Sequence, residues 1–212
     1  GIQHFHKKSG TVKMIEQGSD EWLQERLGYA TASRFKDVVS GKTAESYMNK
    51  LIAERLTGVT MPGAFGKDID RGIEQEPYAK MAYTAQTGNI IEDKGFIKHN
   101  DSSLLTGCSP DGLLGDDGGV EIKCVIPSTQ VQTILKKGYP KQHMAQIQGC
   151  MWVTGRKYWD FISYCPDLPE NLQLYIFRVE RNEADILHIE RDVRYFLSVV
   201  QKKFDELNGV KL

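Results

Sequence analysis

The sequence has no run of roughly 18 consecutive apolar residues, so a helical membrane span is not expected. Nor does its first stretch, GIQHFHKKSG, carry the apolar centre of a secretory leader, so the chain reads as cytoplasmic. Cysteine is scarce. Cys108, Cys124, Cys150 and Cys165 stand singly, without the close pairs that zinc and iron–sulfur sites use, and read as reduced core or half-buried thiols. Only 7 prolines and 20 glycines occur in 212 residues, which excludes collagen-like and low-complexity classes. One further absence is local. Between Ile122 and Trp159 there is no Asp or Glu, while Lys123, Lys136, Lys137, Lys141, Arg156 and Lys157 lie there. Against a nearly balanced total of 27 Lys+Arg and 28 Asp+Glu, this tract suits either a polyanion grip or a solvated surface.

With 40% hydrophobic residues the chain is long enough to bury one core. Residues 1–13 read as a flexible arm or cloning remnant and 14–212 as a single domain. SDEWLQERLG predicts a helix capped by Ser19 or Asp20 and stopped at Gly28, with Trp22 and Leu23 inward. TASRFKDVVSG predicts a short helix capped by Thr31 or Ser33, and AESYMNKLIAERLTG a third with Tyr47, Leu51 and Leu56 at helical spacing. IEQEPYAKMAYTAQTG repeats Tyr78, Met81, Ala82 and Ala85 at helical spacing, with Pro77 in its first turn or kinking a longer helix. The period then changes to two. NIIEDKGFIKHN, SSLLTGCSPDGLLG and GVEIKCVI predict strands, the last two joined by a turn at Asp116–Gly119. A helix over 139–153, strands KYWDFISYC and LQLYIFRVE, and an amphipathic helix near Asn182–Leu207 follow. Helices before and after a mixed central sheet predict an α/β or α+β domain.

The segment SPDGLLGDDGGVEIKC carries the chemistry: Asp111, nine residues, then Glu121-Ile122-Lys123. Strand alternation puts Glu121 and Lys123 on one face and Val120, Ile122 and Cys124 on the other, and the turn brings Asp111 beside Glu121. Two carboxylates converging with an ammonium suit a hard divalent ion, Mg²⁺ with Mn²⁺ as substitute, set against a phosphodiester. Lys123 then holds or deprotonates the attacking water. A Glu-x-Lys pair on a strand is also an ordinary surface ion pair.

Asp111 through Lys123 resembles the PD-(D/E)xK nuclease signature. In order, ERLGYATAS (25–33), RGIEQEPYA (71–79), CSPDG (108–112), EIKC (121–124) and MAQIQGCMWVTG (144–155) resemble the phage lambda exonuclease and YqaJ-type viral recombinase family over about residues 15–180. The resemblance implies a restriction-endonuclease-like α/β core. It further implies Asp111, Glu121 and the Ile122 carbonyl as Mg²⁺ ligands, Lys123 as the catalytic lysine, Glu76 at a second ion or its water, and Gln146 near the nucleophile. For a 5′-terminal phosphate pocket it implies Arg26, Thr31, Ser33 and Ser109. Plainer roles stay open: a solvated Glu76, a buried amide at Gln146, a capping Ser33, and an Arg26 paired with Glu21 or Glu25. Trp22 suits core or a base-stacking wedge, and His143, where the family has an aromatic residue, suits DNA contact or tuning near neutral pH. Also implied are a 5′→3′ exonuclease on double-stranded DNA ends, a ring-shaped homotrimer, a phage or prophage origin, and a single-strand annealing protein as recombination partner. An endonuclease or junction resolvase, or a binding-only end module, are the rival readings.

Overall fold

The computed structural model describes residues 15–61 and 66–209; the expectation for residues 1–13 lies outside them. In chain order the elements are α1 (Asp20–Arg26), β1 (Ala30–Thr31), α2 (Phe35–Ser40), α3 (Ala44–Thr57), α4 (Lys67–Thr87), β2 (Ile97–Lys98), β3 (Thr106–Cys108), β4 (Gly112–Leu114) and β5 (Gly118–Cys124). These are followed by α5 (Pro127–Lys136), α6 (Met144–Thr154), β6 (Tyr158–Tyr164), α7 (Glu170–Gln173), β7 (Leu174–Glu180) and α8 (Glu183–Asn208). The strands form two mixed sheets where the sequence suggests one: β1-β3-β2 and β4-β5-β6-β7. In the larger, β5 runs parallel to β6 while β4 and β7 are antiparallel to their neighbours.

Strand alternation sets the layers. Val120 and Ile122 of β5, with Ile162 of β6, pack with Ala79 and Tyr83 of α4 on one face. Trp159 and Phe161, adjacent in register on β6, turn to the opposite face and share the main core with α2, α3, α6 and α8. Glu121 and Lys123 lie on this second face, so the apolar alternation of β5 continues on one side and is interrupted by charge on the other. Glycine makes room where a side chain packs directly on the backbone. A Cβ on Gly149 of α6 would stand 2.4 Å from the Phe35 ring, and one on Gly112 would stand 2.1 Å from Ile91 Cγ2.

Several expectations need correction. The stretch 31–41 is not one capped helix: Thr31 ends β1, residues Ala32–Arg34 make a 3-10 turn, and neither Thr31 nor Ser33 caps α2. Helix α4 starts at Lys67 and runs through Pro77. Proline there removes one ladder bond, to the carbonyl of the exposed Ile73. Its outward face carries Tyr78 (60% exposed) and Met81 (67%), whereas Ala79 and Tyr83 face the sheet. Helical periodicity is present, but the more obviously apolar stripe is not the buried one. Leu56 of α3 is exposed, and Trp22 and Leu23 are half-buried. The β4–β5 turn is Gly115–Asp117, and β2 is two residues long. Helix α5 escapes the pattern because its polarity is inverted. It buries Gln130 and Thr133 and exposes Val131 and Leu135. The Gln130 amide donates to the carbonyls of Ser163, Leu172 and Gln173 and accepts from the Ser163 hydroxyl, so no polar atom of it is stranded.

Candidate active site

The β4–β5 hairpin delivers the expected juxtaposition. Asp111, just before β4, accepts from the Ile122 backbone N–H through Oδ2 at 2.7 Å. A residue's N–H and C=O project to the same edge of a strand, so the Ile122 carbonyl opens toward Asp111 as well. That edge is free because β4 pairs only with Gly118–Val120. Glu121 is buried, and its Oε1 lies 2.8 Å from Lys123 Nζ, while Oε2 has no hydrogen-bond partner. Lys123 Nζ also donates to Gln146 Oε1 of α6, at 3.4 Å. Glu76 of α4 approaches from the other side, 3.3 Å from Lys80 Nζ.

Electrostatics match this geometry. Burial first, then the neighbouring Glu121 and Glu76 carboxylates, hold Asp111 well above the ordinary carboxylate range. Burial pushes the Lys123 ammonium down, but Glu121 and Asp111 outweigh it and the net direction is up, so the lysine stays charged. The donor set suits a hard ion. An orphaned buried carboxylate oxygen, a second carboxylate burdened by like charge and an outward carbonyl are oxygen donors that could hold Mg²⁺. Among the described residues no cluster of three or more His, Cys, Asp or Glu forms a ready-made metal site. Two carboxylates and a carbonyl are what the chain could offer an ion here.

The second constellation lies at the ends of β1 and β3. These strands run parallel with Thr31 opposite Gly107, so Ser33 and Ser109, each two residues further on, emerge at the same end. Trp22 Nε1 donates to Ser109 Oγ at 3.1 Å, and the Arg26 guanidinium stacks 3.9 Å above the Trp22 ring. Arg26 Nε is buried with no hydrogen-bond partner among the described residues. Burial lowers the Arg26 pKa, an effect that Tyr47 and Glu54 oppose. Thr31 is buried, with its hydroxyl 3.2 Å from that of Ser33, which is exposed. Trp22 is half-buried and ties Ser109 to Arg26.

On the far side of Lys123 a cavity of about 440 Å³ is lined by Arg71, Lys123, Gln142 and His143. The His143 ring stacks on Phe161, and burial, followed by Lys123 and Lys36, lowers its pKa to about 4. It stands neutral across the neutral range and is not poised to titrate there. The basic tract divides: Arg156 donates to the Leu114, Gly115 and Gly118 carbonyls and Lys157 pairs with Asp117, whereas Lys136, Lys137 and Lys141 are exposed. Sequence reading missed Lys80, which pairs with both Glu76 and Asp93; its i,i+4 spacing from Glu76 is the signal that could have found it.

Comparison with known proteins follows the same lines. Residues 21–157 match the YqaJ-like viral recombinase domain. The chain belongs to that family. Among solved structures, this YqaJ-like chain is similar to an alkaline exonuclease (LHK-Exo) from Laribacter hongkongensis. They share 38% identity with a TM-score of 0.83, covering 90% of this chain and 96% of that one. The same enzyme in complex with dAMP matches at 38% identity and TM-score 0.83, over 89% and 96%. A phage related exonuclease from Haemophilus somnus 129PT shares the fold at 15% identity and TM-score 0.62, over 85% and 95%. Curated proteins offer no match.

Proposed function

We propose that this YqaJ-family protein is a Mg²⁺-dependent 5′→3′ exonuclease that digests one strand of linear double-stranded DNA from a 5′-phosphorylated end. The observation that carries the reading is the pairing of two unsatisfied sites: a carboxylate cluster with a stranded oxygen, and beside it an arginine with a stranded nitrogen. A buried polar atom without a partner costs free energy unless a ligand completes it. A cation answers the first and a phosphate the second. Family membership and the likeness to an alkaline exonuclease support the same reading.

Asp111, Glu121 and the Ile122 carbonyl would hold Mg²⁺, which when bound neutralises charge on the phosphoryl group and acidifies water. Arg26 and Ser109 grip the terminal 5′-phosphate. Because Trp22 donates to Ser109 Oγ, the Ser109 proton is left to donate to the phosphate. Lys123, kept as an ammonium, holds the water or the developing phosphoryl charge, and Gln146, within hydrogen-bond reach of that ammonium, orients the nucleophile. Water attacks phosphorus and the bond to the 3′ oxygen breaks. One 5′-mononucleotide leaves, and the remaining strand carries a new 5′-phosphate. Each cut therefore recreates the ligand of the pocket. Exposed Lys136, Lys137 and Lys141 suit the DNA backbone. Glu76 would serve a second ion or its water, and Ser33 with Thr31 the pocket rim.

The product, a 3′ single-stranded overhang, suits an annealing protein as partner in recombination, and a homotrimeric ring in the host cytoplasm would keep the duplex threaded. Among the described residues no helix is long and apolar enough to cross a membrane. The deciding experiment is Mg²⁺-dependent digestion of a duplex with a 5′-phosphate on one strand and a 5′-hydroxyl on the other, each 3′ end labelled. Stepwise loss of the phosphorylated strand alone is expected. Internal cutting of both strands would replace it with an endonuclease, and no cutting with a binding module.

A further inference from the structure

The turn before α1 does more than start a helix. Both the N–H and the hydroxyl of Ser19 donate to the Glu16 carbonyl, at 3.2 and 2.6 Å, and Gly18 takes φ +86°, a conformation that suits glycine. Ser19 Oγ then accepts from Trp22 N and caps α1. The turn is pinned at both ends, and Gln17 projects from its middle. Its Nε2 donates twice: to the Pro110 carbonyl at 2.7 Å and to the Lys94 carbonyl at 3.0 Å. Pro110 is the peptide neighbour of Asp111. Next to Lys94, Asp93 lies 2.8 Å from Lys80 Nζ, which in turn lies 3.3 Å from Glu76. Glu16, Gln17, Lys80, Asp93 and Lys94 line one cavity of about 310 Å³ together with Asp111 and Glu76.

Gln17 therefore joins three segments that sequence separates by 77 and 93 residues. Two primary-amide protons satisfy two carbonyls, so neither is left for the carboxylates. We infer that Gln17 is a positioning residue, which fixes the Pro110–Asp111 peptide against the 93–94 segment and so sets where the Asp111 carboxylate stands for a divalent cation that it would hold with Glu121 and the Ile122 carbonyl, and how it faces Glu76 across the cavity. The inference rests on the metal-nuclease reading above. Gln17 itself is exposed and belongs to neither core cluster, so its loss removes two hydrogen bonds and no packing. Partners one step removed from metal ligands typically change affinity by about 10–100-fold when lost.

The test is Mn²⁺ binding to the full chain without DNA, followed by loss of the free-ion electron paramagnetic resonance signal, for the wild type, Asp111→Asn and Gln17→Met. Methionine keeps the length of glutamine and removes both donors. Tight binding by the wild type, its loss in Asp111→Asn, and a Kd raised about tenfold or more in Gln17→Met are expected. The thermal unfolding midpoint of the metal-free protein should stay within a degree or two of wild type. In cleavage assays the Mg²⁺ concentration for half-maximal rate should rise by a similar factor, with the rate at saturating Mg²⁺ and the 5′-phosphate preference nearly unchanged. Wild-type Mn²⁺ affinity in Gln17→Met, with Asp111→Asn still defective, would overturn the positioning role alone. So would a lowered unfolding midpoint with unchanged Mn²⁺ affinity. Absence of Mn²⁺ binding by the wild type would overturn the metal-nuclease reading and this inference with it.

Discussion

Two acids on neighbouring strands of one sheet, Glu121 of β5 and Asp160 of β6, are almost equally buried, at 3% and 2% exposure, and face opposite sides. Asp160 is fully answered. It accepts from Arg178 Nε at 2.8 Å and Nη2 at 3.0 Å, and from the Tyr83 hydroxyl at 2.6 Å. Arg178 in turn stacks 3.9 Å from the Tyr158 ring. Glu121 is half answered, with Lys123 on one oxygen and nothing on the other, and it stands among like charges. Near-equal burial thus accompanies a structural ion pair where both oxygens are used and a candidate binding site where one is left over. In a buried charged group the unpartnered atom is the informative one.

The comparison can be broken or sharpened, and the largest effect is catalytic. Lys123→Ala should reduce cleavage by about 10²–10⁴-fold while DNA binding survives in a gel-shift assay. Glu121→Gln should be as inactive, yet its thermal unfolding midpoint should equal or exceed that of the wild type, because like-charge strain on Asp111 is relieved. A Glu121→Gln protein that unfolds early would place the residue with Asp160. Asp160→Asn should do the reverse. Loss of the ion pair costs about 3 kcal/mol, the lower end for a buried pair because Arg178 is half-exposed. The unfolding midpoint should then drop by about 6–12 °C for a chain this size. At a temperature where it is folded, its cleavage rate should be near wild type.

Arg26→Ala comes next in size. It should cut the preference for 5′-phosphorylated over 5′-hydroxyl ends by about tenfold, the worth of one or two charge-assisted bonds, measured as the ratio of digestion rates. His143 gives the smallest effect. Its folded pKa of about 4 lies below the ordinary 6.5, so below pH 6.5 the unfolded chain binds a proton that the folded chain refuses. Stability from this group is intact above pH 6.5 and erodes as pH falls toward 4. His143→Phe should flatten that part of the stability profile, measured by urea midpoints from pH 7 to 4, and should leave the cleavage profile between pH 6 and 8 unmoved.

Local signals determined most of the site. Asp111, Glu121 and Lys123 lie within thirteen residues, and strand alternation plus a short turn suffices to bring them together. Helix α1 was readable because its cap, acidic first turn and glycine stop are all local. Helix α5 was not, because its buried residues are polar: Gln130, whose partners come from β6 and α7, and Thr133, which donates back to the Thr129 carbonyl. The inward face of α4 was missed for the same reason: Tyr83 is held by Asp160, 77 residues away.

Composition, periodicity and the spacing of a few acids and bases settled by themselves the long helices, the central strands and the convergence of Asp111, Glu121 and Lys123, since these depend on interactions within a few residues. Tertiary structure alone decided which apolar stripe was buried, that Trp22 orders Ser109 and Arg26, that His143 is neutral, and that Gln17 reaches Pro110. Burial and hydrogen-bond partnership are properties of neighbours brought from far along the chain, and no local pattern encodes which neighbour arrives.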